Sequence, residues 1–178
     1  VAIGGNSLQL LTSGYNNVAI GYDSAKSATS MNSSIAIGRD ALAANTTGNA
    51  NTAVGMNAMA ANTTGYDNVA MGANTLDANT TGTSNTALGR NALGANTGAY
   101  SNVAIGVRAL AAFNVTSATS TYNVAIGEDA GGAVTTGTHN TLSTFWSGED
   151  GFEYALHGLS VGFAPTTWME ASRFTRFF

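Results

Sequence analysis

The stretch NTAVGMNAMAANTTGYDNVAMG, residues 51–72, contains nearly the same pentapeptide twice: NTAVG at 51–55 returns as NVAMG at 68–72. The glycine that ends this pentapeptide recurs every seventeen residues, at Gly4, Gly21, Gly38, Gly55, Gly72, Gly89 and Gly106. The next step, to Gly127, is twenty-one residues long and indicates a four-residue insertion, which we place near 113–121. A fixed period of this kind is the sequence signature of a repeat architecture.

The residues of each repeat predict a β-solenoid. The segment before the glycine is β-branched and too short for a helix, and Asn, Thr and Gly then mark the corners, as in ANTTG at 44–48, 61–65 and 78–82. One such unit cannot bury an apolar face, whereas stacked units can. We therefore expect an all-β parallel β-solenoid, or β-roll, of about eight coils over residues 1–142. Asn at the position four before the glycine should form a ladder of side-chain amides along the axis.

The alternation of side chains along a strand predicts two apolar faces. Neighbouring residues of a strand point to opposite faces, so one set should fill the coil and the other should contact further parallel copies of the chain. The residues expected to pack tightly, in the core or between chains, are Ala19, Ala36, Ala53, Ala70, Ala87, Ala104 and Ala125. The expected apolar core residues are Ile20, Ile37, Val54, Met71, Leu88, Ile105 and Ile126. The alternative is a monomer whose second face is covered by its own turns.

The pentapeptides resemble those of a known type of surface protein. NVAIG, SIAIG and NTAVG look like the head repeats of trimeric autotransporter adhesins of the YadA type. The array is still more similar to the NTAVGxxAL…NTTG arrays of phage tail-fibre proteins, over residues 1 to about 142. The adhesin resemblance implies a left-handed parallel β-roll with three chains side by side, and hence a homotrimer. The adhesin head repeat is shorter than seventeen residues, so the shape of the coil is not fixed by the resemblance.

The composition changes at residue 143. The segment 143–178 holds nine of the fifteen aromatic residues and the only proline, Pro165. We expect it to cap the open end of the stack, because exposed coil backbone invites further strand pairing. It could instead be a tip that binds a carbohydrate or a receptor, or a segment that docks onto another structural protein. The candidate binding residues are Trp146, Tyr154, His157 and Trp168.

Composition and residue spacing argue against several other functions. Only 9% of residues are charged and the net charge is −4, so the chain lacks the basic surface of a nucleic-acid-binding protein. No apolar run has membrane-spanning length. His139 and His157 lack the convergent partners of a metal site or a catalytic base, and acidic residues are sparse along the repeats. We therefore expect no enzyme activity, cofactor, metal site, nucleic-acid partner or membrane insertion. A hypothesis of N-glycosylation rests on the sequons at Asn45, Asn62, Asn79 and Asn114.

These features predict a structural and adhesive protein: a segment of a trimeric fibre that displays a receptor-binding region, in a phage tail fibre or a similar virion appendage. Expected partners are copies of the same chain, other virion or surface structural proteins, and a host surface receptor or glycan. The expected location is the virion tail fibre or the extracellular surface. A bacterial trimeric surface adhesin is the alternative within this structural class. An ice-binding solenoid is a third hypothesis, although Thr and Val alternate at positions 18, 52, 69, 86 and 103 and interrupt a flat threonine array.

Overall fold

The computed structural model describes residues 1–144, which form one parallel β-sheet without any helix in that range. Nine strands are stacked in chain order, and each pairs only with its neighbours in sequence. The strands are β1 Ala2–Ile3, β2 Val18–Ile20, β3 Ile35–Ile37, β4 Thr52–Val54, β5 Val69–Met71, β6 Thr86–Leu88, β7 Val103–Ile105, β8 Val124–Ile126 and β9 Thr141–Ser143. The predicted parallel β-solenoid is therefore confirmed, with about eight turns.

The strand register follows the period of the sequence. Ala36 pairs with Ala53, and Ala53 pairs with Ala70, so equivalent residues of successive repeats stack directly. Val103 pairs with Val124, although twenty-one residues separate them. The insertion therefore does not shift the register between β7 and β8. At about 4.8 Å per strand, eight steps make a stack roughly 38 Å long.

The second apolar segment of each repeat forms consecutive turns and no strand. In the third coil, which begins at β3, Asp40 and Leu42 have φ angles of 60° and 53°. The backbone N–H of Ala41 donates to the carbonyl of Gly38 within the turn at 3.3 Å. The N–H of Leu42 instead donates to the carbonyl of Ala58 in the next coil at 3.0 Å. Hydrogen bonding between coils thus continues where the strand ends, because alternate residues bond within and between coils.

The strand alanines lie inside the coil. Ala36, Ala53 and Ala70, like the equivalent alanines of β2, β6, β7 and β8, are completely buried, whereas Ala2 in the terminal strand β1 is exposed. The larger buried apolar side chains come from the turns: Leu42, Met59, Leu76, Leu93, Leu110 and Phe113. The apolar core therefore consists of alanine methyl groups from the strands on one side and leucine-sized side chains from the turns on the other.

The residues predicted to form the apolar core lie on the outside of the coil, so their predicted place inside the coil is wrong. These residues are half-buried or exposed: Ile20, Ile37, Val54, Met71, Leu88, Ile105 and Ile126. Met71 is 45% exposed and Ile126 is 50% exposed. Their positions differ from the prediction because the turn side chains already fill the space opposite the alanines.

The predicted asparagine ladder is present inside the coil. The side-chain amide of Asn68 donates to Oδ1 of Asn51 at 3.2 Å, and the backbone N–H of Asn68 donates to the same oxygen at 3.1 Å. The bonds repeat from Asn85 to Asn68 and from Asn102 to Asn85. All of these asparagines are buried. The ladder therefore satisfies polar groups that would otherwise be costly to bury.

A second asparagine ladder runs through the ANTTG corners. The amide of Asn62 donates to Oδ1 of Asn45 at 2.8 Å, that of Asn79 to Asn62 at 2.8 Å, and that of Asn96 to Asn79 at 3.0 Å. Each amide also donates to a carbonyl three residues ahead, such as Asn79 to Gly82 at 3.1 Å. These asparagines are fully buried, so they belong to the core and not to a solvated turn.

Replacing Ala53 by Leu should lower the free energy of unfolding by about 1–3 kcal/mol, because the alanines of the adjacent coils leave no room for extra carbon atoms. Urea titration at one fixed chain concentration measures the effect. The control is Thr47→Leu at an exposed corner, for which we expect a change below about 0.5 kcal/mol. Equal effects of the two substitutions would contradict the placement of Ala53.

Replacing Asn79 by Ala should cost about 1–3 kcal/mol, because it removes the donor to Oδ1 of Asn62 and the acceptor for the amide of Asn96 inside the core. The matched control is Asn49→Ala, which removes one solvent-exposed bond to the backbone N–H of Asn32. Thermal unfolding followed by circular dichroism compares the two variants. A larger loss for Asn49→Ala would show that the second ladder does not stabilise the stack.

Candidate functional site

The candidate binding residues of the C-terminal segment are outside the described part of the chain. Trp146, Tyr154, His157 and Trp168 all follow residue 144, so their role remains a prediction. Within residues 1–144, no group of three or more His, Asp or Glu side chains comes together as a metal site would require. No helix of that range has the length and apolar character needed to cross a membrane.

The outer face of the sheet is the candidate functional surface, and we call it the strand face. It consists of two columns of side chains, one on each side of the buried alanines. The first column is Val18, Ile35, Thr52, Val69, Thr86, Val103 and Val124. The second column is Ile20, Ile37, Val54, Met71, Leu88, Ile105 and Ile126. Neither column contains a charged residue, and both are half-buried or exposed throughout.

Ion pairs lie on the corner that follows the strand face. The guanidinium of Arg108 contacts Asp129 at 2.5 Å and Glu128 at 3.2 Å, which joins two coils. The hydrogen bond from Arg108 lowers the pKa of Asp129. At the other end of the stack, the pair with Lys26 and a hydrogen bond from Asn6 lower the pKa of Asp23. These pairs are accessible to water, so they add little to stability, and they keep charge at the corner beside the strand face.

Three of the four asparagines in Asn-x-Thr sequons are in the second ladder. Asn45, Asn62 and Asn79 are 0% exposed and their amides are hydrogen-bonded inside the core. Asn114 is half-buried in the insertion, where its Oδ1 accepts a bond from the Thr97 hydroxyl at 2.9 Å. The folded solenoid therefore has no space for a glycan at the first three positions.

Asp77 is a single carboxylate in a column of small residues. The equivalent positions of the flanking coils are Ala60 and Gly94, and Asp77 is half-buried there. Burial raises the pKa of Asp77 above its ordinary value of 3.8. A carboxyl group whose pKa is raised in the folded state destabilises the fold when it is ionised. This destabilisation is absent below pH 3.8, the ordinary pKa, and is complete once the pH has risen through the folded-state pKa.

We therefore expect Asp77→Asn to raise the melting temperature at pH about 7 and to leave it unchanged at pH about 3, since only the ionised carboxylate is penalised by burial. Thermal melts across this pH range measure the difference. Asp67→Asn, on an exposed corner, is the control. A gain for Asp77→Asn that is as large at the acidic end as at neutral pH would contradict this account of the carboxylate.

Comparison with known proteins gives no match: no family model, no curated protein and no solved structure matches the chain. The strand face is therefore interpreted from its own geometry. Its two uncharged columns extend from β2 to β8 without interruption, including the coil that carries the insertion. Contiguous apolar patches on a protein surface are typical of sites that contact other molecules.

Proposed function

We propose that the chain is a structural segment of a trimeric fibre, in a virion tail fibre or a similar appendage, whose three parallel copies join through their strand faces. The strand face is the observation that carries the proposal. Its side chains are apolar except for Thr52 and Thr86. Each Å² of apolar surface removed from water contributes about 25 cal/mol, so burial of both columns along the stack favours association.

The repeat period favours another copy of the same chain as the partner. The strand face presents one pair of side chains per coil, at a step of about 4.8 Å. A partner that contacts both columns over seven strands, β2 to β8, needs the same step along the same direction. A parallel copy of the chain satisfies both requirements without any further adjustment. The absence of charge on the face means that no like-charge repulsion opposes this arrangement.

A ring of three copies uses both columns of every chain. The two columns differ: residues such as Val69 and Val103 stand in the first column, and residues such as Met71 and Ile105 stand in the second. Around a threefold axis, the first column of one chain can contact the second column of the next, and this head-to-tail contact closes after three chains. The number three is taken from the resemblance to YadA-type adhesin heads.

The function of such an assembly is mechanical display. Coils in constant register make a straight shaft, and each added coil lengthens it by about 4.8 Å. A binding region carried at the end of the shaft is present three times, so weak contacts act together. A bacterial surface adhesin would use the same shaft. We prefer the tail-fibre assignment because the NTAVGxxAL…NTTG pattern is more similar to the arrays of phage tail fibres.

The full chain should have a mass in solution of three times 17.9 kDa by light scattering after size exclusion. Leu88→Lys, which places an ammonium group on the half-buried strand face, should convert the trimer into a monomer that keeps its β-type circular dichroism. Thr81→Lys adds the same charge at an exposed corner and should leave the trimer intact.

Two results would contradict the proposal. A wild-type chain that stays monomeric at all accessible concentrations would rule out the trimer. A Leu88→Lys variant that remains folded and trimeric would show that the strand face is not the contact, even if another part of the chain associates.

A further inference from the structure

One corner of the solenoid carries two aromatic side chains where the array otherwise has small or short polar ones. The position five before each repeat glycine from Gly21 to Gly127, and five before Thr144 in the last coil, has a positive φ. Its first six occupants are Asn16, Ser33, Ala50, Asp67, Ser84 and Ser101. The last two are Tyr122 and His139, with φ angles of 49° and 59°. Tyr122 and His139 are therefore the only aromatic residues at this position in the described coils.

The two aromatic rings form an exposed pair. The centroids of Tyr122 and His139 are 5.1 Å apart and the ring planes meet at 42°. Tyr122 is 53% exposed and His139 is exposed. The strand register does not require these rings, because serine occupies the same position in other coils with the register unchanged. Exposed aromatic side chains that the fold does not need are available to bind another molecule.

The insertion lies directly beside this pair. The N–H of Tyr100 donates to the carbonyl of Thr119 at 3.1 Å, and the N–H of Thr121 donates back to the carbonyl of Tyr100 at 3.1 Å. Ser120 forms an isolated β-bridge with Tyr100. These bonds hold the end of the insertion against the preceding coil, next to Tyr122. Insertions in repeat arrays form loops on one face, and that face often binds ligands.

In the described part of the chain, the segments next to the pair are uncharged and rich in hydroxyl groups. Residues 113–123 and 133–141 contain no Asp, Glu, Lys or Arg. Thr116, Ser117 and Thr138 are exposed there. A fitting ligand therefore combines an apolar face for the rings with neutral groups that donate and accept hydrogen bonds. A pyranose ring has this combination, because its C–H face is apolar and its edge carries hydroxyls, whereas an ionic ligand would find no counter-charge.

We propose that Tyr122, His139 and the insertion 114–120 form a binding site for an uncharged saccharide. The rings pack against the C–H face of one sugar unit. The His139 imidazole and the exposed hydroxyls bond to its edge. The site is formed within one chain, so the inference does not depend on the proposed trimer.

The test uses the full chain and a panel of neutral oligosaccharides, including maltohexaose, cellohexaose and mannohexaose, with binding measured by calorimetry. The variants are Tyr122→Ser and His139→Ser, because serine is the native residue of this position in other coils. We expect the wild type to bind at least one member of the panel and each variant to bind it about tenfold more weakly or worse. Tyr66→Ser, which removes a 51% exposed tyrosine from the same corner of a different coil, should bind like the wild type.

Three results would overturn the inference. The wild type could bind no member of the panel, or both serine variants could bind as tightly as the wild type. Tyr122→Ser could instead change the mass of the assembly without changing saccharide binding, which would make the pair a contact between chains. A trimer that binds no saccharide would defeat this inference alone, and a monomer that binds one would defeat the proposed function alone.

Discussion

Direct stacking of identical positions along one axis is the constraint on which the rest of the structure depends. Gly38 has a φ of 133°, and a Cβ atom added there would collide with the carbonyl of Gly55 in the next coil. This close approach explains why a glycine is needed once per repeat. The same stacking means that a buried polar group meets its own equivalent, and asparagine can both donate to and accept from a copy of itself. The asparagine ladders and the strand register both follow from the short distance between equivalent positions of successive coils.

The sequence alone was sufficient to predict the parallel solenoid and the first ladder, because both depend on period and on residue type. It could not decide which apolar set fills the coil. Ala53 and Val54 must point in opposite directions, but both are apolar, and the choice depends on how far the turns reach inward. Leu42 and its equivalents adopt a left-handed backbone and fill that space, which a pattern of apolar pairs does not reveal. The residues expected in the core therefore lie on the strand face, which is the candidate contact surface.

The second ladder was missed for a related reason. Asn45 and Asn62 sit in ANTTG stretches, which normally indicate a solvated turn, yet both are buried. The same position holds asparagine in successive repeats, and this regularity could have predicted the second ladder. The ladder ends where Phe113 replaces the next asparagine, and Oδ1 of Asn96 has no hydrogen-bond donor among the described residues. The insertion and the Tyr122–His139 pair begin just beyond this point, so three departures from the repeat lie together, as expected where a regular scaffold acquires a site.

The most direct test of the account is hydrogen exchange at the side-chain amides of Asn62 and Asn79, followed by NMR. Both amides are buried and bonded to the preceding coil in the ladder, at 2.8 Å each. Their exchange should be slower than that of the exposed Asn49 side chain by about a hundredfold or more, because the coils must separate before water can reach them. Exchange as fast as that of Asn49 would contradict the claim that stacked, in-register coils hold this chain together.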